Sequence, residues 1–235
     1  MGITLFNLWM GCIKLALYKV ISFDKIPSTQ TTAQELIAAR RVGDHSIVVA
    51  AAQSDGRGRF RRKWVSHHGN LYASFIYAAP ERDARLSYAV ALAVADTLFS
   101  FGITPTIKWP NDILVDGKKI SGILIEYYSR FVIVGIGINI ATNPTVAEYK
   151  TTKMNKFVTT NERDVLARLM KYMDKWLRSD FATVRERWTA LANGLHTTVK
   201  YRGATAELIG INENGALVLR CGTRYVLAYG DEIVI

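Results

Sequence analysis

The apolar run Ser46 to Gln53 reads as a strand that delivers a loop: Ser54-Asp55-Gly56-Arg57-Gly58-Arg59-Phe60-Arg61-Arg62-Lys63-Trp64. Five of the seven residues from Arg57 to Lys63 are cationic, and Gly56 and Gly58 interrupt the charge. Glycine takes φ > 0 at little steric cost and lets backbone amides close on a ligand. Arginine forks match carboxylate and phosphate oxygens. Such a loop can fold over an anionic ligand; taken alone it would also suit nucleic acid or a solvated turn.

The rest of the chain bounds the choice. At 235 residues it can bury a substantial core, and with 49% apolar residues it is globular rather than disordered. The formal charge of +10 points to polyanionic partners: nucleic acid, an acidic membrane, or an acidic protein and a nucleotide. Cys12 and Cys221 lie at opposite ends, and His45, His67, His68 and His196 show no ligand spacing. That pattern predicts no disulfide framework, no structural metal and a reducing, cytoplasmic compartment.

Periodicity organises the chain further. Leu5, Leu8/Trp9, Cys12/Ile13 and Leu17 fall at helical spacing, which predicts an amphipathic helix in an extension over residues 1–22. Asn7, Lys14 and Lys19 break its apolar run, so no membrane span and no signal peptide is expected. Ser28 to Arg41 reads as a helix opened by overlapping capping boxes at Thr31…Gln34 and Thr32…Glu35. Asn70 to Ala78 alternates as a strand, and Leu86 to Phe101 is a helix stopped by Gly102. A meander follows: Ile113 to Val115, an Asp116-Gly117 turn, Lys119 to Tyr128, and Phe131 to Asn139. Thr142 to Asn161 is polar and aperiodic, a surface loop, and Glu162 to Leu177 and Phe181 to Leu191 are amphipathic helices. From about Leu195, turns at Arg202-Gly203, Asn214-Gly215, Cys221-Gly222 and Gly230-Asp231 punctuate short strands, as in a small all-β barrel.

The loop gains meaning from a second cluster about fifty residues on. It runs Lys108-Trp109-Pro110-Asn111-Asp112, then Lys119-Ile120-Ser121-Gly122-Ile123-Leu124-Ile125-Glu126. A turn into an edge strand accounts for proline-asparagine-aspartate but not for the lysine-tryptophan before it. Together the two clusters resemble the biotin–protein ligases, and the resemblance spans Asp24 to about Ile140 at the level of motifs. It implies an α+β fold: a mixed β-sheet flanked by helices, the class II synthetase-like catalytic domain, over residues 23–193. A small SH3-like β-barrel would follow over 194–235.

The resemblance also implies a chemistry and its residues. Biotin and ATP would give biotinyl-5′-AMP, and the biotinyl group would then pass to one lysine of a biotin carboxyl carrier domain. Biotin would be bound by Ser28, Thr29, Gln30, Gln53, Gly56, Arg57, Gly58, Arg59, Lys119 and Gly122. ATP would be bound by Arg59, Arg62, Trp64, Asn111, Asp112, Lys119 and Asn139, with Trp64 stacked on adenine and Asn139 bonding the nucleotide. Lys119, Arg59 and Asp112 would carry catalysis, and Asp112 would hold Mg2+ with the ATP phosphates. Two departures stand out: Gln30 replaces the family's asparagine, and Arg61 replaces its glycine. The ordinary readings of these residues are helix capping for Ser28-Thr29, a solvated basic turn for the loop, and core packing for Trp64.

Three rivals remain in view. A lipoate or octanoate transferase would lack the Lys108–Asp112 cluster and the need for a polar ureido site. A nucleic-acid binder is favoured only by charge. A biotin-sensing repressor needs a helix-turn-helix, for which the residues before Asp24 are too few, so no specific DNA binding is expected. A homodimer is left open.

Overall fold

A computed structural model describes residues 2–6, 18–229 and 233–234. The first eight strands are β1 (Gly2–Phe6), β2 (Tyr18–Ile26), β3 (Ser46–Gln53), β4 (Leu71–Ala78), β5 (Thr106–Lys108), β6 (Asp112–Val115), β7 (Lys118–Tyr128) and β8 (Phe131–Ile138). They form one mixed sheet in the order β1-β2-β3-β4-β8-β7-β6-β5. Only β2 and β3 run parallel, joined by the crossover helix α1 (Thr29–Ala38), while the other neighbours are antiparallel.

The strand β8 shows how the sheet separates two environments, because its side chains alternate between faces. Val132, Val134, Ile136 and Ile138 join the main core with the helices α2 (Leu86–Phe99), α3 (Glu162–Leu177) and α4 (Phe181–Leu191). On the opposite face, Ile133 packs with Ala33, Leu36 and Ile37 of α1, Val48 and Ile76. That second cluster is small, so the α1 face has room for a cavity beside the helix.

Past α4, strands β9 (Thr198–Tyr201), β10 (Ala204–Ile211), β11 (Leu217–Cys221), β12 (Arg224–Ala228) and β13 (Ile233–Val234) make a five-stranded antiparallel sheet, ordered β12-β11-β10-β9-β13. The expected turns at Arg202-Gly203, Asn214-Gly215 and Cys221-Gly222 fall between these strands; Gly230-Asp231 lies outside the described residues. Val199, Leu208 and Leu217 belong to the same hydrophobic cluster as α2, and Tyr88 Oη donates to the Gly215 carbonyl at 2.7 Å.

Two local expectations are corrected. The predicted N-terminal helix does not form where the chain is described: Gly2–Phe6 and Tyr18–Ile26 are antiparallel strands, with Ile3 opposite Ile21. Leu8, Trp9, Cys12, Ile13 and Leu17 lie outside the described residues. Over Gly2–Phe6, pairing with Tyr18 to Ser22 of β2 supplies the nonlocal hydrogen bonds that override the local spacing. The cap of α1 is also not at Thr31 or Thr32, which are inside the helix; Ser28 is the N-cap, its Oγ accepting the Gln30 N–H.

Candidate active site

On the α1 face of the sheet lies a cavity of about 710 Å3, a volume ordinary for small-molecule sites. Its floor is glycine. Gly135 and Gly137 of β8 and Gly122 of β7 point no side chain into it, and neighbours already occupy the space a side chain would need. A Cβ at Gly137 would stand 2.5 Å from the Trp64 ring, one at Gly122 2.8 Å from it, and one at Gly135 2.7 Å from Gln30 Oε1. Trp64 therefore lies flat on the sheet, its buried indole N–H unpartnered.

One end of the cavity is neutral and tightly bonded. The Thr29 N–H and hydroxyl both reach Gln53 Oε1, at 2.8 and 3.3 Å. Gln53 Nε2 donates to Ser66 Oγ at 2.8 Å, and Ser66 Oγ donates to the Trp64 carbonyl at 3.0 Å. Fully buried Ser74 of β4 lies 2.9 Å from Thr29 Oγ1 and 3.0 Å from Gln30 Oε1, while Gln30 Nε2 donates to the Ile133 carbonyl. Gln53 and Gln30 are thus committed to holding the wall together. Ser28, 2% exposed and capping α1, accepts a bond there and keeps its own hydroxyl proton to donate.

The other end is charged. The loop after β3 folds back as a tight hairpin, with Gly58 N–H bonding the Arg62 carbonyl and Trp64 N–H bonding the Gly56 carbonyl, both at 2.8 Å. Gly56 does not line the cavity. A Cβ there would be 2.3 Å from the Trp64 carbonyl oxygen, so its glycine is explained by closure of this hairpin. Phe60 and Arg61 sit at the tip with φ of 54° and 60°, a left-handed geometry costly for residues with a Cβ. Arg61 is the position where the resembling family carries glycine, and the backbone shows why glycine suits it. Arg57 Nη2 reaches Glu126 Oε1 of β7 at 2.6 Å, latching the loop across the cavity mouth. Arg59 and Arg62 both lie over the exposed Phe60 ring.

Lys119 faces this loop from β7. Its ammonium is 2.7 Å from Asp112 Oδ1, in a charge contact without hydrogen-bond alignment, and it lies 5.3 Å from the Trp64 ring and 5.0 Å from that of Tyr149. The Lys119 backbone is held as well: its N–H bonds the Lys150 carbonyl, and its carbonyl accepts from Thr152 N–H. Asn111 ties its amide to the Ile123 carbonyl and so fixes the turn ahead of Asp112, after a cis Trp109–Pro110 bond. Asn139 lines an adjoining cleft of about 290 Å3 with Trp64, Lys119 and Tyr149; its Oδ1 is buried without a partner.

The cavity thus gathers Ser28, Thr29, Gln30, Gln53, Arg57, Gly58, Arg59, Arg62, Trp64, Asn111, Asp112, Lys119 and Gly122 on one surface, with Asn139 next door and Gly56 behind. Residues 22–143 match the biotin/lipoate A/B protein ligase family. The chain belongs to that family. Among its relatives, the bifunctional ligase/repressor BirA of Bacillus subtilis is 30% identical over 238 residues, covering 91% of this chain and 73% of that protein. The biotin–[acetyl-CoA-carboxylase] ligase of Paracoccus denitrificans is 32% identical over 218 residues, 81% of this chain and 90% of its own length. The fold superimposes on the biotin protein ligase of Aquifex aeolicus in complex with biotin and ATP with a TM-score of 0.82. That pair is 27% identical, over 92% of this chain and 97% of the other.

Several residues at this cavity carry no motif signal in the sequence. Ser74 and Ser66 were hidden as polar residues in or beside a strand, although Ser74 breaks an otherwise apolar run. Tyr149 and Glu148 lie in the segment expected to be a surface loop; they are exposed and line the cavity from it. Burial, with Asp112 and Glu148 nearby, raises the Tyr149 phenol above its ordinary value. Among the described residues no helix is long and apolar enough to cross a membrane.

Proposed function

We propose that this chain performs the two-step reaction of a biotin–protein ligase, ending on a lysine of a biotin carboxyl carrier domain. The observation that carries the reading is the continuity of one cavity from the neutral Ser28–Thr29–Gln53 wall to the Lys119–Asp112 pair. A ureido ring needs donors and acceptors in fixed positions, which the bonded wall offers. A carboxylate and a triphosphate need cations that bring two anions together, which Lys119, Arg59 and Arg62 offer.

In the first step a biotin carboxylate oxygen attacks the α-phosphorus of ATP and pyrophosphate leaves. Lys119 stands where carboxylate and phosphate oxygens would meet, and Arg59 covers the phosphate from the loop. The adenine fits the smaller cleft, against Trp64 and Tyr149, with Asn139 Oδ1 as an acceptor for its amino group. In the second step the deprotonated acceptor amine attacks the acyl carbon, and AMP leaves. The loop and its aromatic neighbours keep water from the anhydride in between.

The donor set suits a magnesium ion that stays mostly on phosphate. Among the described residues there is no group of three His, Cys, Asp or Glu side chains able to hold a metal alone. Asp112 contributes a single carboxylate beside the cavity, the usual share for Mg2+ bridging to nucleotide phosphates. Bound there, the ion would neutralise charge on the departing pyrophosphate.

Mass spectrometry of an apo carrier domain incubated with this protein, biotin and MgATP tests the reading. A gain of one biotinyl group on one lysine is expected. Transfer of lipoate or octanoate in place of biotin would replace the reading with the transferase branch of the family.

A further inference from the structure

The outer edge of the C-terminal sheet carries an apolar strip that the fold does not use. Along β12, Val226 and Ala228 turn inward, while Tyr225, Leu227 and, just past the strand, Tyr229 turn outward. These three are 66%, 48% and 56% exposed, and they are three of the seven exposed large hydrophobic residues among those described. At strand spacing they span about 13 Å. Val218 of β11, directly opposite Leu227, extends the apolar ground sideways. Among the described residues β12 pairs only with β11.

The strip has a direction. Tyr229 lines a cleft with Arg59, Pro110 and Asn111, and these last three also line the main cavity. Tyr225, at the far end, sits opposite Arg220, whose guanidinium pairs with Glu207, and next to the exposed Arg224. One end therefore opens on the reaction site, and the other carries the exposed cation of Arg224.

We propose that this strip is the docking surface for the acceptor protein, resting on the ligase reading above. The partner is an acidic domain with an apolar edge of its own, seated along β12 with its target lysine directed past Tyr229 into the cavity. An exposed aromatic strip on a strand with no described partner on its outer side suits a β-rich partner, and Arg224 favours an acidic one. Neither small substrate needs this surface, because the cavity already accounts for their groups.

The test separates acceptor binding from chemistry. In the Tyr225→Ser/Leu227→Ser double variant, KM for a carrier domain should rise about tenfold, as loss of an apolar anchor pair does, with kcat within about twofold. Biotin-dependent pyrophosphate exchange, which needs no acceptor, should stay at the wild-type rate. Arg224→Glu should raise KM at low salt and flatten its dependence on ionic strength, and it supplies an independent result should the double variant fold poorly. An unchanged KM in both variants would overturn the proposal. So would a wild-type dimer that the double variant dissociates while KM stays put. If the wild-type protein exchanges pyrophosphate but labels no carrier, the acceptor reading itself falls, and the docking surface with it.

Discussion

The two ends of the cavity are built on opposite plans. At the α1 end, Ser74, Thr29, Gln53 and Ser66 form a chain of neutral hydrogen bonds. At the loop end, the groups are cationic, the tip residues Phe60 and Arg61 are left-handed, and Arg57 leans on Glu126. Neutral dipoles can be fixed in advance at little cost, since each satisfies the next. Like charges cannot: they repel until an anion arrives. Under the proposed function, recognition falls to the bonded wall and charge neutralisation to the strained hairpin.

The largest test of this contrast is Lys119→Ala. Losing one charge-assisted contact at the reacting oxygens costs on the order of 3 kcal/mol, so pyrophosphate exchange should fall roughly a hundredfold. Exchange at the wild-type rate would remove Lys119 from the chemistry. Next comes Arg59→Gly, which takes an anchor from the loop yet leaves the first step running. Biotinyl-5′-AMP should escape about tenfold faster, the scale of one hydrogen bond to a charged group, and label bystander lysines. A biotin blot on an added inert protein reads this out, and a blank lane would count against the role.

At the rigid end the effect should be smaller and of a different kind. Ser74→Ala leaves Thr29 Oγ1 and Gln30 Oε1 short of a partner, so KM for biotin should rise about fivefold, equivalent to roughly 1 kcal/mol, with kcat unchanged. A drop in kcat instead would show that the wall takes part in the reaction. The smallest effect belongs to Arg61→Gly. Relief of the left-handed φ should stabilise the protein by at most about 1 kcal/mol, read as a higher denaturation midpoint. A lower midpoint would show that the Arg61 side chain holds the hairpin more than its backbone strains it.

Elements with strong periodicity were legible before the structure: β3, α3 and α4 fall on the residues expected, and the Asp116-Gly117 turn is where the pattern puts it. The clusters around Arg59 and Lys108–Lys119 likewise meet in one cavity. What stayed hidden depended on partners distant in sequence. The strand at Gly2–Phe6 could not be read locally, because its partner Tyr18 to Ser22 lies beyond any helical window. Three-residue β5 is too short for any period. Gln30 and Gln53 could be placed at the site, but their mutual commitment through Thr29 and Ser74 arises only when β4 lies beneath α1. Glu126 belongs to a motif legible in the sequence, yet its pairing with Arg57 spans 69 residues of chain.

The polar stretch between β8 and α3 returns to its own starting point. Met154 N–H bonds the Asn139 carbonyl and Asn155 N–H the Ile140 carbonyl, so the excursion is pinched shut at its neck, and fully buried Met154 plugs it. Such a tied segment behaves as a cartridge. Its rim, carrying Glu148 and Tyr149, can change length and composition while the neck keeps the same footing on the sheet. Lys150 and Thr152 hold the Lys119 backbone, so under the proposed function the part free to vary is the rim over residues 145–149, and a swap confined to it is the place to retune which base is accepted.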